Sequence, residues 1–437
     1  MTHLQTIYNS VTTSLLAVLL SACVSMGALD EGDPTDYMHR LMTEVDGGIR
    51  VSASALSPGE SRAAFGVPLA DKGIQPVWVE VENNEDLTYW LMSIGMDPNY
   101  FTPTEAADAF NRKRDGSIDW ELEQRFRDQA FVNPIVPGAT VSGFIFTNLD
   151  EGVKMIEVDL VGNDTLKTIS FLAHIPGFRA DYIDKEAVIE EALAEDKIIN
   201  FTDDAEFRAA LEALPCCVTN KKGTRNGDPL NLIIVGGGDD AFPALIRRGW
   251  HPTEATYVGS VKKMINSVMS GERYRYSPVS PLYLYGRPQD LALQKARDNI
   301  HQRNHLRLWR SPMHYHGKDV WVGQISRDIG TRMTIHSPYL TTHKIDPDVD
   351  EALVALVQDI AYSQHLSKIG FVKGVGEAPR EAPRQNLTTD PYFTTGRRGV
   401  LIFDEQPSPL VDIELLPWEG EEGGMIDAAH DLHRPGR

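Results

Sequence analysis

The chain has 437 residues, of which 42% are hydrophobic and 24% charged. That is ordinary globular composition, with room for two or three domains. Its formal net charge of −20 excludes nonspecific nucleic-acid binding and charge-driven docking on anionic lipid, both of which need basic surface. The charge is uneven, however. Residues 221–376 hold 21 Lys and Arg against 14 Asp and Glu, a net of +7, so the remainder carries −27. Eight of the 13 histidines lie in the same window, and any anion-binding site is expected there.

The first element is a short apolar run from Ser14, ending Leu20-Ser21-Ala22-Cys23. It falls short of the ~20 apolar residues that span a bilayer. It fits the apolar region of a removed signal peptide. The ending resembles a bacterial lipobox, with Leu at −3, small residues at −2 and −1, and Cys at +1. The resemblance implies loss of residues 1–22 and diacylation of the Cys23 sulfur. The mature protein is then expected in the cell envelope, with the membrane as a partner through the lipid. Val24 in place of Asp implies the outer membrane, facing the periplasm.

Residues 23–45 read as a polar, acidic tether. From 46 to 180 the pattern is β. Val77 to Glu82 alternates apolar and polar, as a half-buried strand does. Thr140 to Thr147, Val153 to Leu160 and Lys167 to His174 are further strands bounded by turn residues. Thr104 to Phe131 reads as one helical insertion capped by Thr104. Several short strands with one insertion predict a β-sandwich-like domain.

Residues 181–227 read as a helical connector. One helix is expected over Ala187 to Glu195. A second starts at Asp203, with Glu206 at capping-box spacing, and Pro215 ends it. Cys216 and Cys217 are adjacent. Either they form a vicinal disulfide or they are two buried thiols.

The pattern over 228–405 alternates strand and helix and predicts a mixed α/β domain. The fold class is therefore α+β. Leu232 to Val235 is a continuous apolar run, as in a strand covered on both faces. Ala241 to Arg248 reads as a helix closed by Gly249, Pro281 to Tyr285 as a strand, and Pro288 to Ala296 as a helix. Leu306 to Trp309 and Val320 to Gln324 form a hairpin around Ser311 to Lys318. Asp350 to Leu366 is the longest helix, and Ile369 to Val372 and Val400 to Phe403 are late strands. The Pro-rich stretch between them is a loop. Residues 406–437 read as an acidic, disordered tail.

Several blocks in this region resemble the LssY C-terminal domain family, from about residue 228 to 403. They are Asn231 to Gly236, Arg248-Gly249-Trp250, Ser280 to Asp290, His305 to Trp309, Val320 to Gly323, Ser326-Arg327-Asp328, His343 to Asp350 and Asp390 to Thr394. Members often carry this domain behind membrane-spanning regions, in lipid-related and envelope-related contexts. No reaction comes with the resemblance.

Three local motifs have a plain reading beside a chemical one. Gly236 to Ala241 fits G-x-G-x-x-A, but Asp239 and Asp240 stand where phosphate would sit, so a capped turn is expected. Asp346 to Asp350 lacks the Gly and Glu of a calcium loop, and Asp348 or Asp350 is expected to cap a helix. His314 and His316 share one side of an extended segment and, with His336 or His343, would make a zinc set. Exposed histidines at a hairpin tip are the plainer expectation, and no metal or cofactor is assigned.

A dispersed set remains. A period of two puts His305, Arg307 and Trp309 on one strand face. Arg287, Asp328 and His343 fall at the ends of neighbouring elements. If they converge, Arg supplies bidentate anion binding and a His–Asp pair supplies a general acid or base. The alternative is a structural ion-pair network under Trp309. No G-x-S-x-G elbow is present, which argues against a covalent hydrolase. The first expectation is a noncatalytic envelope protein binding an anionic ligand or an envelope partner. The second is a hydrolase acting on a phosphorylated lipid or sugar.

Overall fold

The computed structural model describes residues 34–110, 119–150, 152–176, 198–238, 240–253, 280–296, 303–333 and 341–420. The Cys23 motif, the expected helix over Ala187 to Glu195, and His336 lie outside these residues. The fold is α+β and divides into two units. The first holds residues up to 94 together with 98–149. The second holds 95–97 and 150 onward.

The first unit is built on an antiparallel sheet of β1 (Met42–Asp46), β2 (Ile49–Ala55), β3 (Ile74–Asn83) and β4 (Thr140–Asn148), in that order. One face carries Phe144 and Phe146. It packs Phe65 from α1 (Pro58–Phe65), Ala106 and Ala107 from α2 (Pro103–Asp108), and Leu122 and Phe126 from α3 (Trp120–Gln129). The other face carries Val51, Ala53, Val77 and Val79, all fully buried. The expected single helix over Thr104 to Phe131 is two helices. Thr102 and Asp119 cap them, because each accepts the N–H three residues on (3.3 and 3.2 Å), and Thr104 does not.

The expected domain boundary near residue 180 differs from the observed one. The hairpin of β5 (Val153–Gly162) and β6 (Thr165–His174) forms as expected, with continuous register from Val153↔His174 to Gly162↔Thr165. Its contacts place it in the second unit. One reason is electrostatic. Glu157 and Asp159 of β5 meet Arg247 of α5 (Ala241–Arg247) at 2.8 and 3.6 Å.

The second unit centres on a ten-stranded mixed sheet. At its middle is β10 (Leu232–Val235), fully buried as its apolar run predicts. It pairs antiparallel with β16 (Lys318–Met333) and parallel with β19 (Arg397–Phe403). Next to β16 stands β15 (Arg303–Tyr315), then β14 (Leu291–Ala296). Beyond β19 stand β18 (Leu366–Lys373) and β20 (Glu414–Leu415). One face of the sheet buries α6 (Val349–Ala361) through Leu353, Leu356 and Ile360. The opposite face buries Phe207 and Leu211 of α4 (Asp204–Glu212), which starts at Asp203 as expected, the Asp203 carboxyl accepting from Glu206 N–H at 2.9 Å.

Two expectations fail here. Pro288 to Ala296 is not helical, although Ala, Leu, Gln and Lys favour helix. Leu291–Ala296 instead pairs with Arg303–Leu308, and Leu291 and Leu293 enter the core. Tertiary burial outweighs local propensity. Residues 406–420 of the expected disordered tail are ordered. Glu414–Leu415 pairs with β18, Leu416 and Trp418 are buried, and Trp418 Nε1 donates to the Phe371 carbonyl at 3.1 Å. A buried Trp offsets the ordering entropy that the acidic composition alone would not.

Candidate functional site

Strand β15 forms because its odd-numbered and even-numbered positions meet different surroundings. Leu306 and Leu308 face the apolar core. Arg303, His305 and Arg307 face the other way, and Trp309 continues that face into the second core. Register then decides what stands beside them. Gln294 of β14 and Ser326 of β16 flank His305, and Gln324 of β16 stands opposite Arg307.

Asp328 lies two residues beyond Ser326 on the same face, and its Oδ2 sits 2.6 Å from His305 Nε2. Both residues are buried. Burial lowers the imidazole pKa, Asp328 pulls the other way, and the net direction is down. A neutral His305 therefore donates its Nε2–H to Asp328, which fixes Nδ1 as the basic nitrogen. Arg303 Nη1 donates to Gln294 Oε1 at 3.0 Å. Burial draws the Arg303 guanidinium below its usual range. Arg307 Nη1 donates to Gln324 Oε1 at 2.9 Å. Arg307 is half-buried and is the most accessible of the four.

Asp228, on the short strand Asn226–Pro229 just before β10, adds a fifth group. Asn386 Nδ2 donates to it at 3.3 Å. Burial pushes its carboxyl up, while Arg307 and the Asn386 bond pull it down, and the net direction is up. A carboxyl held toward its neutral form counters Arg307 less than an ionised one would.

Of the expected set, His305, Arg307 and Asp328 share this face. Arg287 is committed elsewhere: its guanidinium binds both oxygens of Asp290 at 2.9 Å and the Arg310 carbonyl at 2.7 Å. It orders the turn under Trp309. His343 lies on the strand Thr341–Ile345 with its backbone opposite Thr331, and its side chain is outside the described residues. Arg303, Gln294, Gln324 and Asp228 were not anticipated. One further step of the period of two would have reached Arg303. Gln294 was hidden by the helical reading of its strand.

The other motifs resolve into structure. Asp240 Oδ1 accepts from Gly237 and Ala241 N–H at 2.6 and 2.5 Å, and Lys318 reaches its other oxygen at 3.1 Å. The carboxylate thus fills the place a phosphate would need. Asp350 accepts from Thr394 and Thr395, all at 2.6–2.7 Å, and Asp348 is the N-cap residue without a side-chain capping bond. His314 pairs with Asp319 at 2.9 Å. Among the described residues no group of three His, Cys, Asp or Glu gathers as for a metal. Cys216 and Cys217 are paired as a vicinal disulfide. A groove of about 1070 Å³ lies between the start of α6 and residues 377–381, with Arg380 over the Phe393 ring. None of the residues grouped around His305 lines it.

Residues 209–397 match the family described as LssY C-terminus, so the chain carries an LssY C-terminal domain. The match starts inside the expected connector and takes in the last four residues of α4 and the cysteine pair. No curated protein matches the chain.

Proposed function

We propose that the chain is a lipid-anchored protein of the cell envelope whose LssY C-terminal domain binds an oxyanion of the phosphate class without turning it over. The anchor reading rests on the Leu-Ser-Ala-Cys ending at Cys23, and Val24 after it supports an outer-membrane site facing the periplasm. The binding reading rests on one observation: Arg303, His305 and Arg307 occupy successive positions on one face of β15, within a +7 segment of an acidic chain. Guanidinium groups are weakly hydrated and match oxyanion geometry, so they suit such a buried site. The ligand enters past Arg307, the accessible member.

Calorimetric titration with inorganic phosphate tests the reading. Arg307→Ala is expected to weaken binding roughly tenfold or more, the effect of losing one charge-assisted bond. Equal affinity would remove Arg307 from the site.

A hydrolase acting on a phosphorylated lipid or sugar is the second reading, and the 2.6 Å His305–Asp328 pair favours it. There His305 would take a proton from attacking water. Turnover of p-nitrophenyl phosphate that disappears in a folded His305→Ala chain would establish that reading. Phosphate binding with no turnover would leave the first.

A further inference from the structure

In the first unit, residues 87–92 and 132–137 run antiparallel as a short ribbon. Tyr89 and Ile135 exchange backbone hydrogen bonds of 2.9 and 2.8 Å. The Asn133 amide bonds the N–H and C=O of Leu91 at 2.8 and 2.9 Å. Alternation sorts the side chains. Tyr89, Leu91 and Ile135 are buried. Thr88, Trp90, Met92, Val132, Pro134 and Val136 face the other way and are exposed, Trp90 by 54% and Val132 by 63%. None of the six is charged, in a chain where 24% of residues are.

We propose that this apolar ribbon face seats in the headgroup boundary of a lipid bilayer; the proposal rests on the anchor reading at Cys23. Three observations select that occupant. The first is reach. Eleven residues lead from Cys23 to Pro34, up to ~36 Å of chain, against a diameter of roughly 35 Å for a unit of this size. The anchor therefore keeps this unit within one diameter of the membrane. The second is charge. A chain of −20 is repelled by a second copy and by anionic lipid, whereas an uncharged ribbon enters a zwitterionic boundary with no ion to dehydrate. The third is chemistry. Trp prefers the membrane–water boundary, where its ring is apolar and its N–H stays wet.

The test compares full-length Cys23→Ser chains with and without Trp90→Ser and Val136→Ser. Their flotation with phosphatidylcholine vesicles is measured. Both keep residues 14–22, so the difference reports the ribbon alone. Both substitutions fall at exposed positions, and circular dichroism checks the fold. The substituted chain is expected to partition roughly tenfold more weakly or worse, since its apolar contact area is lost. Equal partition overturns the proposal. So does a ribbon-dependent dimer in sedimentation without vesicles, which would make a second copy the occupant. Mass spectrometry of the wild-type N-terminus reads the anchor separately, so ribbon-dependent flotation with an unmodified Cys23 would sink the anchor and spare the ribbon.

Discussion

At Glu157, burial and an ion pair pull in opposite directions. Burial pushes the carboxyl up, Arg247 at 2.8 Å pulls it down, Asp159 pushes it further up, and the net result is about 8. A raised carboxyl pKa means that the folded state holds a proton the unfolded state releases above about 4.5. Stability from this group is therefore full below that pH and is lost as pH rises toward 8. His365, whose Nε2 lies 4.0 Å from Glu157, runs the other way. Burial lowers its pKa, so it favours the fold above its ordinary titration range. Glu157→Gln isolates the glutamate, leaving Arg247, Asp159 and His365 in place. In urea unfolding between pH 5 and 8.5, the wild type is expected to lose stability relative to the variant, by at most about 5 kcal/mol. Parallel curves would mean that Glu157 is ionised throughout.

At the scale of elements, close approach of backbones sets the clearest limit. Gly143 of β4 lies against residues 130–131, and a Cβ there would fall 2.4–2.6 Å from Ala130 and Phe131 backbone atoms. The approach lets Phe131 N–H reach the Phe144 carbonyl at 3.0 Å, tying α3 to the sheet. Gly143→Ala is expected to destabilise by about 1–3 kcal/mol, read from the shift in urea midpoint at constant slope. No shift would mean that α3 moves away freely.

The same scale separates what was legible in the sequence from what was not. Leu232 to Val235 was legible because an apolar run needs two covers, and it received them. The hairpin of β15 and β16 was legible at its turn, where His316 and Gly317 take positive φ, but its strands run far longer than the apolar patches. Pro288 to Ala296 was not legible, because its residues favour helix and only its neighbour β15 makes it a strand. Within the site, periodicity exposed His305 and Arg307. Asp228 was hidden because only the fold places Arg307 and Asn386 beside it.

At the scale of the whole molecule, charge and topology agree. The basic window of the sequence contributes the middle strands of the large sheet, and the LssY C-terminal match covers them. The acidic remainder includes the first unit, with its uncharged ribbon. Such a division suits a protein that meets an anion through one unit and a lipid boundary through the other. The measurement closest to the central claim is nuclear magnetic resonance of the His305 ring nitrogens, assigned by loss of their signals in His305→Gln, while inorganic phosphate is added. The account predicts a saturable shift whose midpoint moves to roughly tenfold or more higher phosphate in Arg307→Ala. Ring signals that stay fixed while phosphate saturates the protein would place the anion elsewhere and contradict it.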